Sequence, residues 1–205
     1  MLNILKPNYS QWRFAVFIML FLGNLGLAQE VDAVAFQKEM NEKFMNPEET
    51  PLSSQDLKNF KTLDFFQVNE DYKIMANFVR TPAEAPFLMQ TTTERTPVYV
   101  KYGELYFTLK GRDFKLNVYQ NRELLLDSEY YNHLFLPFTD LTNGESTYAG
   151  GRYLDLKIPT KSAISLDFNK AYNPYCAYNG KYSCPIPPAE NDMNIAIKAG
   201  VKNYK

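Results

Sequence analysis

The sequence has little of what catalysis and metal binding usually draw on. One histidine, two cysteines and one tryptophan occur in 205 residues. A lone histidine, His133, cannot supply the paired imidazoles common in zinc sites. No Gly-x-Ser-x-Gly elbow exists to mount a nucleophilic serine beside it, so a hydrolytic triad has no motif to rest on. Basic residues number 22 against 23 acidic ones and are dispersed. That excludes the clustered Lys and Arg a nucleic-acid partner would require. No apolar run reaches the roughly 20 residues that cross a bilayer, and no internal repeat or low-complexity tract is present.

What is present begins with a leader. Lys6 and Arg13 precede nine unbroken apolar residues, Phe14 to Leu22, and no acidic residue comes before Glu30. A small-residue stretch then runs from Gly23 to Ala28, with Gly26 and Ala28 at the −3 and −1 positions of a cleavage site. Residues 1–28 therefore read as a cleavable secretory signal peptide. They place the mature protein in the periplasm or outside the cell, touching membrane only through the leader before cleavage. The rest has the length of one domain with a real core.

Two helices are expected in the segment 29–63. Val34, Met40 and Phe44 recur at helical spacing between Val31 and Met45, with Asp32 as cap and Pro47 as stop. A shorter helix follows Ser53 or Ser54. From residue 64 to residue 205 the period changes to two, giving a β-rich domain packed with the helical segment as one unit. Strand candidates are Ile74–Val79, Phe87–Thr92, Leu134–Phe138, Tyr153–Ile158, Ala163–Phe168 and Ile195–Ile197. Between Val98 and Tyr119 a three-stranded meander is expected, with type II′ turns at Gly103-Glu104 and Gly111-Arg112, so that Leu105, Phe107, Leu109, Phe114, Leu116 and Val118 share one face. The 15 tyrosines and 15 phenylalanines suit such strands. The fold class is mainly β (α+β): a curved antiparallel sheet or small β-barrel with one or two N-terminal helices, the alternative being a β-sandwich.

Three polar stretches interrupt the strands. Asp140 to Tyr148 holds Asp, Asn and Glu without the spacing of a calcium loop and reads as a solvated turn. Gly150-Gly151-Arg152 reads equally as an anion site or as a bulge with Arg152 paired to Asp155 or Asp167. The third, Asp167 to Asn191, carries both cysteines and four prolines. Gly151-Arg152-Tyr153-Leu154-Asp155, the run from Asp167-Phe168-Asn169 to Asn173-Pro174, the two cysteines and Pro187-Pro188 to Asn191 together resemble the signature of a bacterial and archaeal family known as domain of unknown function 1684. The resemblance covers most of the mature chain and brings no activity, cofactor or catalytic residue. Such a family leads one to expect Ala-Gly-Glu near the end, whereas here Ala199-Gly200 is followed by Val201. It also implies relatives without an export signal, in which a disulfide would not persist.

Cys176 and Cys184 are the only cysteines, and in an exported chain they are expected to form a disulfide. Closing so short a loop contributes about 2.5 kcal/mol on the chain-entropy estimate. Zinc held by the cysteines with His133 or a carboxylate is the competing reading, and no cofactor or metal is expected. The functional expectation is a non-catalytic envelope module that binds a small molecule, glycan or envelope protein. Its candidate surface is Arg152, Tyr153, Asp167, Asn169, Tyr172, Asn173, Glu190 and Asn191. The alternative is a hydrolase that uses Asp167 or Glu190 with His133 as acid and base, with or without a metal.

Overall fold

A computed structural model describes residues 32–204. The expected leader lies outside the described residues, and none of the described helices is long and apolar enough to cross a membrane. Helix α1 spans Ala33–Met45 and starts on Asp32, whose carboxylate accepts from the Ala35 amide at 2.8 Å. Helix α2, Ser54–Asn59, is capped by Ser53 in the same way. Phe44 is the main anchor of α1, at 2% exposure, while Val34 points to solvent. The helices do not lie on the sheet core. Phe44, Leu52 and Leu63 cluster instead with Tyr178 and Val201 of the C-terminal region.

The remainder is mainly β, an antiparallel sheet curled into a half-barrel. Its strands are β1 (Lys73–Arg80), β2 (Phe87–Leu88), β3 (Val98–Leu109), β4 (Arg112–Asn121), β5 (His133–Asp140), β6 (Arg152–Lys157), β7 (Ala163–Asp167) and β8 (Asp192–Met193). The order is β6-β5-β4-β3-β1-β7, with β2 beside β3 and a short parallel β8 beside β5. β6 and β7 stand at opposite ends of this order yet are joined directly by residues 158–162. Such a connection spans at most about 20 Å, so the sheet must curl to bring its two ends together.

Two turns differ from the sequence expectation. The β3–β4 hairpin turns at Lys110-Gly111, both at positive φ (50° and 73°), so Leu109 pairs with Arg112 and Phe107 with Phe114. Two positive φ values in sequence make a type I′ turn rather than II′. The register moves by two residues, an even step that leaves every apolar side chain on its expected face. The turn at Gly103-Glu104 is absent. β3 runs straight through as a twelve-residue strand with a bulge between Lys101 and Gly103. Gly103 is where β1 presses closest: a Cβ there would meet the Val79 carbonyl at 2.7 Å and the Phe78 ring. The glycine marks a close strand approach and a bulge instead of a corner.

The concave face is filled by Leu105, Phe107, Leu109, Leu116, Val118, Leu134, Leu136, Phe138, Leu154 and Leu166. Phe168, Met193, Ile197 and Ala199 close it from the C-terminal side. Ile197 is core without being strand, which corrects the expectation for Ile195–Ile197. The opposite face is also covered at one end, where Met89, Tyr99, Tyr119, Phe135 and Tyr153 form a second cluster. β5 is therefore buried on both sides, and its sequence, Leu134-Phe135-Leu136-Pro137-Phe138, has no polar alternation.

Candidate functional site

Arg152, expected at a ligand surface or beside Asp155 or Asp167, is fully buried and bonded internally. Its Nη2 donates to Asp140 Oδ2 and to the Ile197 carbonyl, both at 2.8 Å. Its Nη1 donates to the carbonyls of Ala199 and, at 3.4 Å, Val201. Asp140 Oδ1 in turn accepts from the amides of Thr142 (2.9 Å) and Ile197 (3.0 Å) and from the Thr142 hydroxyl at 2.6 Å. The segment 140–148 is therefore a turn solvated only in part, with Leu141, Gly144 and Glu145 exposed. Asp140, Thr142 and Thr147 are buried, and together with Arg152 they pin the C-terminal strap across the half-barrel. Gly151 permits this entry at φ 86°, because a Cβ would sit 2.7 Å from the Phe138 carbonyl.

Asp167, Asn169 and Asn191 are consumed in the same manner. Asp167 caps the turn after β7, accepting from the backbone and side-chain amides of Asn169 at 3.0 and 2.8 Å. Asn169 exchanges hydrogen bonds with the backbone of Asn69, donating at 2.9 Å and accepting at 3.0 Å. Asn191 acts as a piece of strand. It accepts from the Asn117 amide at 2.8 Å and donates to the Asn117 and Pro137 carbonyls at 2.8 and 2.7 Å. The reason lies in Pro137. Its missing N–H faces β4, the ladder there reduces to the one pair Tyr119–Phe135, and the Asn191 amide fills the gap. Glu190 is exposed on the turn before Asn191 and lies outside the cleft described next.

The cleft has a volume of about 490 Å³ and lies between α1, the covered outer face of β3, β5 and β6, and the loop 172–185. Three of the eight candidate residues line it: Tyr153, Tyr172 and Asn173. Tyr153 is a wall rather than a free hydroxyl, since it is 5% exposed and donates to the Pro185 carbonyl. Asn173 ties Lys202 by donating to its carbonyl at 2.9 Å. Tyr172 is the one that faces polar chemistry. Its hydroxyl donates to Asp155 Oδ2 at 2.7 Å, and Asp155 Oδ1 lies 2.8 Å from His133 Nε2. Burial first, and then the Asp155 carboxylate, hold the Tyr172 phenol well above its ordinary range, so it remains a donor.

His133 and Asp155 reach each other diagonally across β5 and β6, where Phe135 is directly opposite Asp155. Tyr130 stands edge-on to the His133 ring at 6.0 Å. Asp155 is half exposed, so the pair opens on the cleft. At the other rim, Lys43 from the last turn of α1 lines the cleft together with Tyr175. Burial lowers its pKa, but Tyr175 and Glu49 outweigh that and raise it. Chemically the site offers a fixed carboxylate, one imidazole, an ammonium and many aromatic faces. The partner of His133 is Asp155, rather than Asp167 or Glu190. Among the described residues no group of three or more His, Cys, Asp or Glu side chains is placed to hold a metal ion. The sequence reading missed Tyr99, Lys43 and Tyr178 as lining residues. Tyr99, Phe135 and Tyr153 alternate with core residues along their strands, a signal that the second face is covered too.

Cys184 borders the floor of this cleft and Cys176 lies behind it. Both are free thiols here, so the expected disulfide is not formed in this structure. They are nonetheless neighbours: the Cys176 amide donates to Cys184 Sγ at 3.1 Å, and the Tyr148 hydroxyl is 3.8 Å from Cys176 Sγ.

A similar solved fold is the solution NMR structure of the uncharacterized protein from gene locus rrnAC0354 of Haloarcula marismortui. It is 31% identical, covers 82% of this chain and 91% of its own, and superposes with a TM-score of 0.65. No curated protein is matched. The family model described as Protein of unknown function (DUF1684) matches residues 58–202, which include the half-barrel, the Arg152 knot and every cleft residue except those of α1. The chain belongs to that family, Protein of unknown function (DUF1684).

Proposed function

We propose that this protein is an exported, non-catalytic binding module of the cell envelope, and that its aromatic cleft takes up a small ring-bearing ligand such as a sugar. The observation that supports this is the cleft: about 490 Å³, largely tyrosine and phenylalanine walls, with His133, Asp155 and Tyr172 converging at one end. Small-molecule sites are typically concave, apolar and ~300–1,000 Å³, with a few placed polar groups. Tyrosine faces suit the apolar face of a sugar ring, and a fixed carboxylate suits its hydroxyls. Export follows from the leader reading, and mature protein recovered from the periplasm should begin after Ala28 and lack Trp12 absorbance. Calorimetric titration with a panel of mono- and disaccharides tests the ligand class. A ligand that binds the native protein and is weakened by Asp155→Asn supports the reading; binding indifferent to that change places the ligand elsewhere.

The hydrolase alternative draws on one observation, the Tyr172–Asp155–His133 chain of hydrogen bonds, which would orient the imidazole as a general base. The nearby Ser183 hydroxyl is engaged by Thr91 and Thr93 at 3.0 and 2.6 Å and is not presented to His133 as a nucleophile. Binding therefore stands ahead of turnover. Hydrolysis of a bound sugar or ester that disappears in His133→Ala would reverse that order.

A further inference from the structure

The two thiols differ in every property that governs thiol chemistry. Cys176 is partly exposed on a short turn, Tyr175–Ala177, whereas Cys184 is 6% exposed. The backbone around them is held: the Cys184 amide donates to Thr92 Oγ1 at 3.1 Å, and the Thr92 amide donates to the Cys184 carbonyl at 2.9 Å. Prolines at 174 and 185 bracket the loop. The titratable groups facing the pair are Tyr148 and Tyr153, both pushed upward mainly by burial and so protonated near neutral pH. The side chains that act most on Cys176 are Cys184, Tyr148 and Thr92. The Cys176 amide reaches Cys184 Sγ at 3.1 Å and the Tyr148 hydroxyl lies 3.8 Å from Cys176 Sγ, so the thiols are direct neighbours; Cys184 first, and then Tyr148, lower Cys176 to about 6 against burial, while Cys184 is raised. A low thiolate pKa, partial exposure and an adjacent resolving thiol are the attributes of a reactive rather than an inert cysteine pair.

We propose that Cys176 and Cys184 form a thiol–disulfide exchange site for low-molecular-weight disulfides, with Cys176 the attacking and Cys184 the resolving residue. The Cys176 thiolate attacks one sulfur of the disulfide R–S–S–R, forming Cys176–S–S–R and releasing RS⁻, which takes a proton. Cys184 then loses its proton to solvent and attacks Cys176 Sγ, releasing the second RS⁻. The protein dithiol is oxidised to the internal disulfide and R–S–S–R is reduced to two RSH. The thiol pair adjoins the cleft through Cys184, but the exchange does not depend on the identity of the cleft's ligand.

The test uses reduced full-length mature protein and oxidised glutathione as probe, followed by intact mass and peptide mapping. Wild type should proceed to the internal disulfide without accumulating an adduct. Cys184→Ser, which keeps a hydroxyl donor beside Cys176, should accumulate one glutathione on Cys176. Cys176→Ser should react far more slowly. Alkylation of wild type at pH 6 should label Cys176 first, about tenfold faster than an ordinary thiol once the lower nucleophilicity of an acidic thiolate is allowed for. That measurement needs no variant to fold. Preferential labelling of Cys184, an adduct on Cys184 in Cys176→Ser at the wild-type rate, or a pair that stays oxidised in excess dithiothreitol would each overturn the proposal.

Discussion

The Arg152 knot and the tyrosine cleft are built from the same kinds of residues to opposite ends. In the knot, the four hydrogen bonds to the Asp140 carboxylate, one of them from Arg152, and the bond from Arg152 to the Ile197 carbonyl lie at 2.6–3.0 Å among groups sealed from water. In the cleft, His133, Asp155 and Lys43 keep part of their surface open and are each tied by few partners. Charged residues in an unusual sequence pattern are therefore no guide to a ligand by themselves. A charge buried in a sheet needs partners, and meeting that need uses up both terminal nitrogens of Arg152, leaving only its Nε without a partner.

Breaking the knot should have the largest effect. Arg152→Ala strands the Asp140 carboxylate and three backbone carbonyls in the core, and removal of one partner from a buried ion pair costs about 3–5 kcal/mol. Urea unfolding at pH 7 should show a loss of that size. A loss under 1 kcal/mol would mean that water reaches Asp140 and that the knot is not sealed. Asn191→Ala should follow at about 2–3 kcal/mol, because the Asn117 amide and two carbonyls lose their partner where Pro137 cannot help. Neither change touches the residues that line the cleft.

The cleft should respond the other way. Asp155→Asn keeps the shape but removes the charge that orients His133 and Tyr172, so stability should change by less than about 1 kcal/mol, as for exposed pairs. Affinity for any ligand that engages the carboxylate should fall about tenfold, the worth of one hydrogen bond to a charged group. Unfolding and calorimetric titration on the same preparation separate the two readouts. A variant that loses stability as much as Arg152→Ala would merge the two regions into one structural network.

Much of the fold was legible because it rests on period and caps. Asp32, Ser53 and the alternation of Leu105, Phe107 and Leu109 each act locally, and a register error of two left the faces unchanged. The Gly103 misreading has a definite cause: glycine serves both corners and close approaches, and only the β1 strand lying against it, 24 residues earlier at Val79, decides between them. The site was less legible for the same reason at longer range. Arg152 meets carbonyls 45 to 49 positions away, and Asn191 repairs a gap opened by Pro137, 54 positions earlier. Spacing along the chain carries no record of such pairings. The cleft's aromatic wall did leave a trace, in strands whose tyrosines and phenylalanines alternate with an already apolar face, and reading both faces of β5 would have found it.

The smallest expected effect lies at the cleft rim and carries a pH signature. Burial alone would lower Lys43, but Tyr175 and Glu49 raise it above 10.5. A folded-state pKa above the unfolded value favours the folded protein below about pH 10.5, and that contribution is lost as pH rises through the raised value. Because the ammonium is largely solvated, solvent screening limits the contribution to a few tenths of a kcal/mol. Lys43→Met should therefore be slightly less stable than wild type between pH 7 and 9, and the two should converge as pH rises beyond 10.5. Urea midpoints for both proteins at pH 7, 9 and 11 give the comparison. A difference that grows with pH would mean that Lys43 is held by desolvation rather than by Tyr175, and that α1 closes the cleft more tightly than its open rim implies.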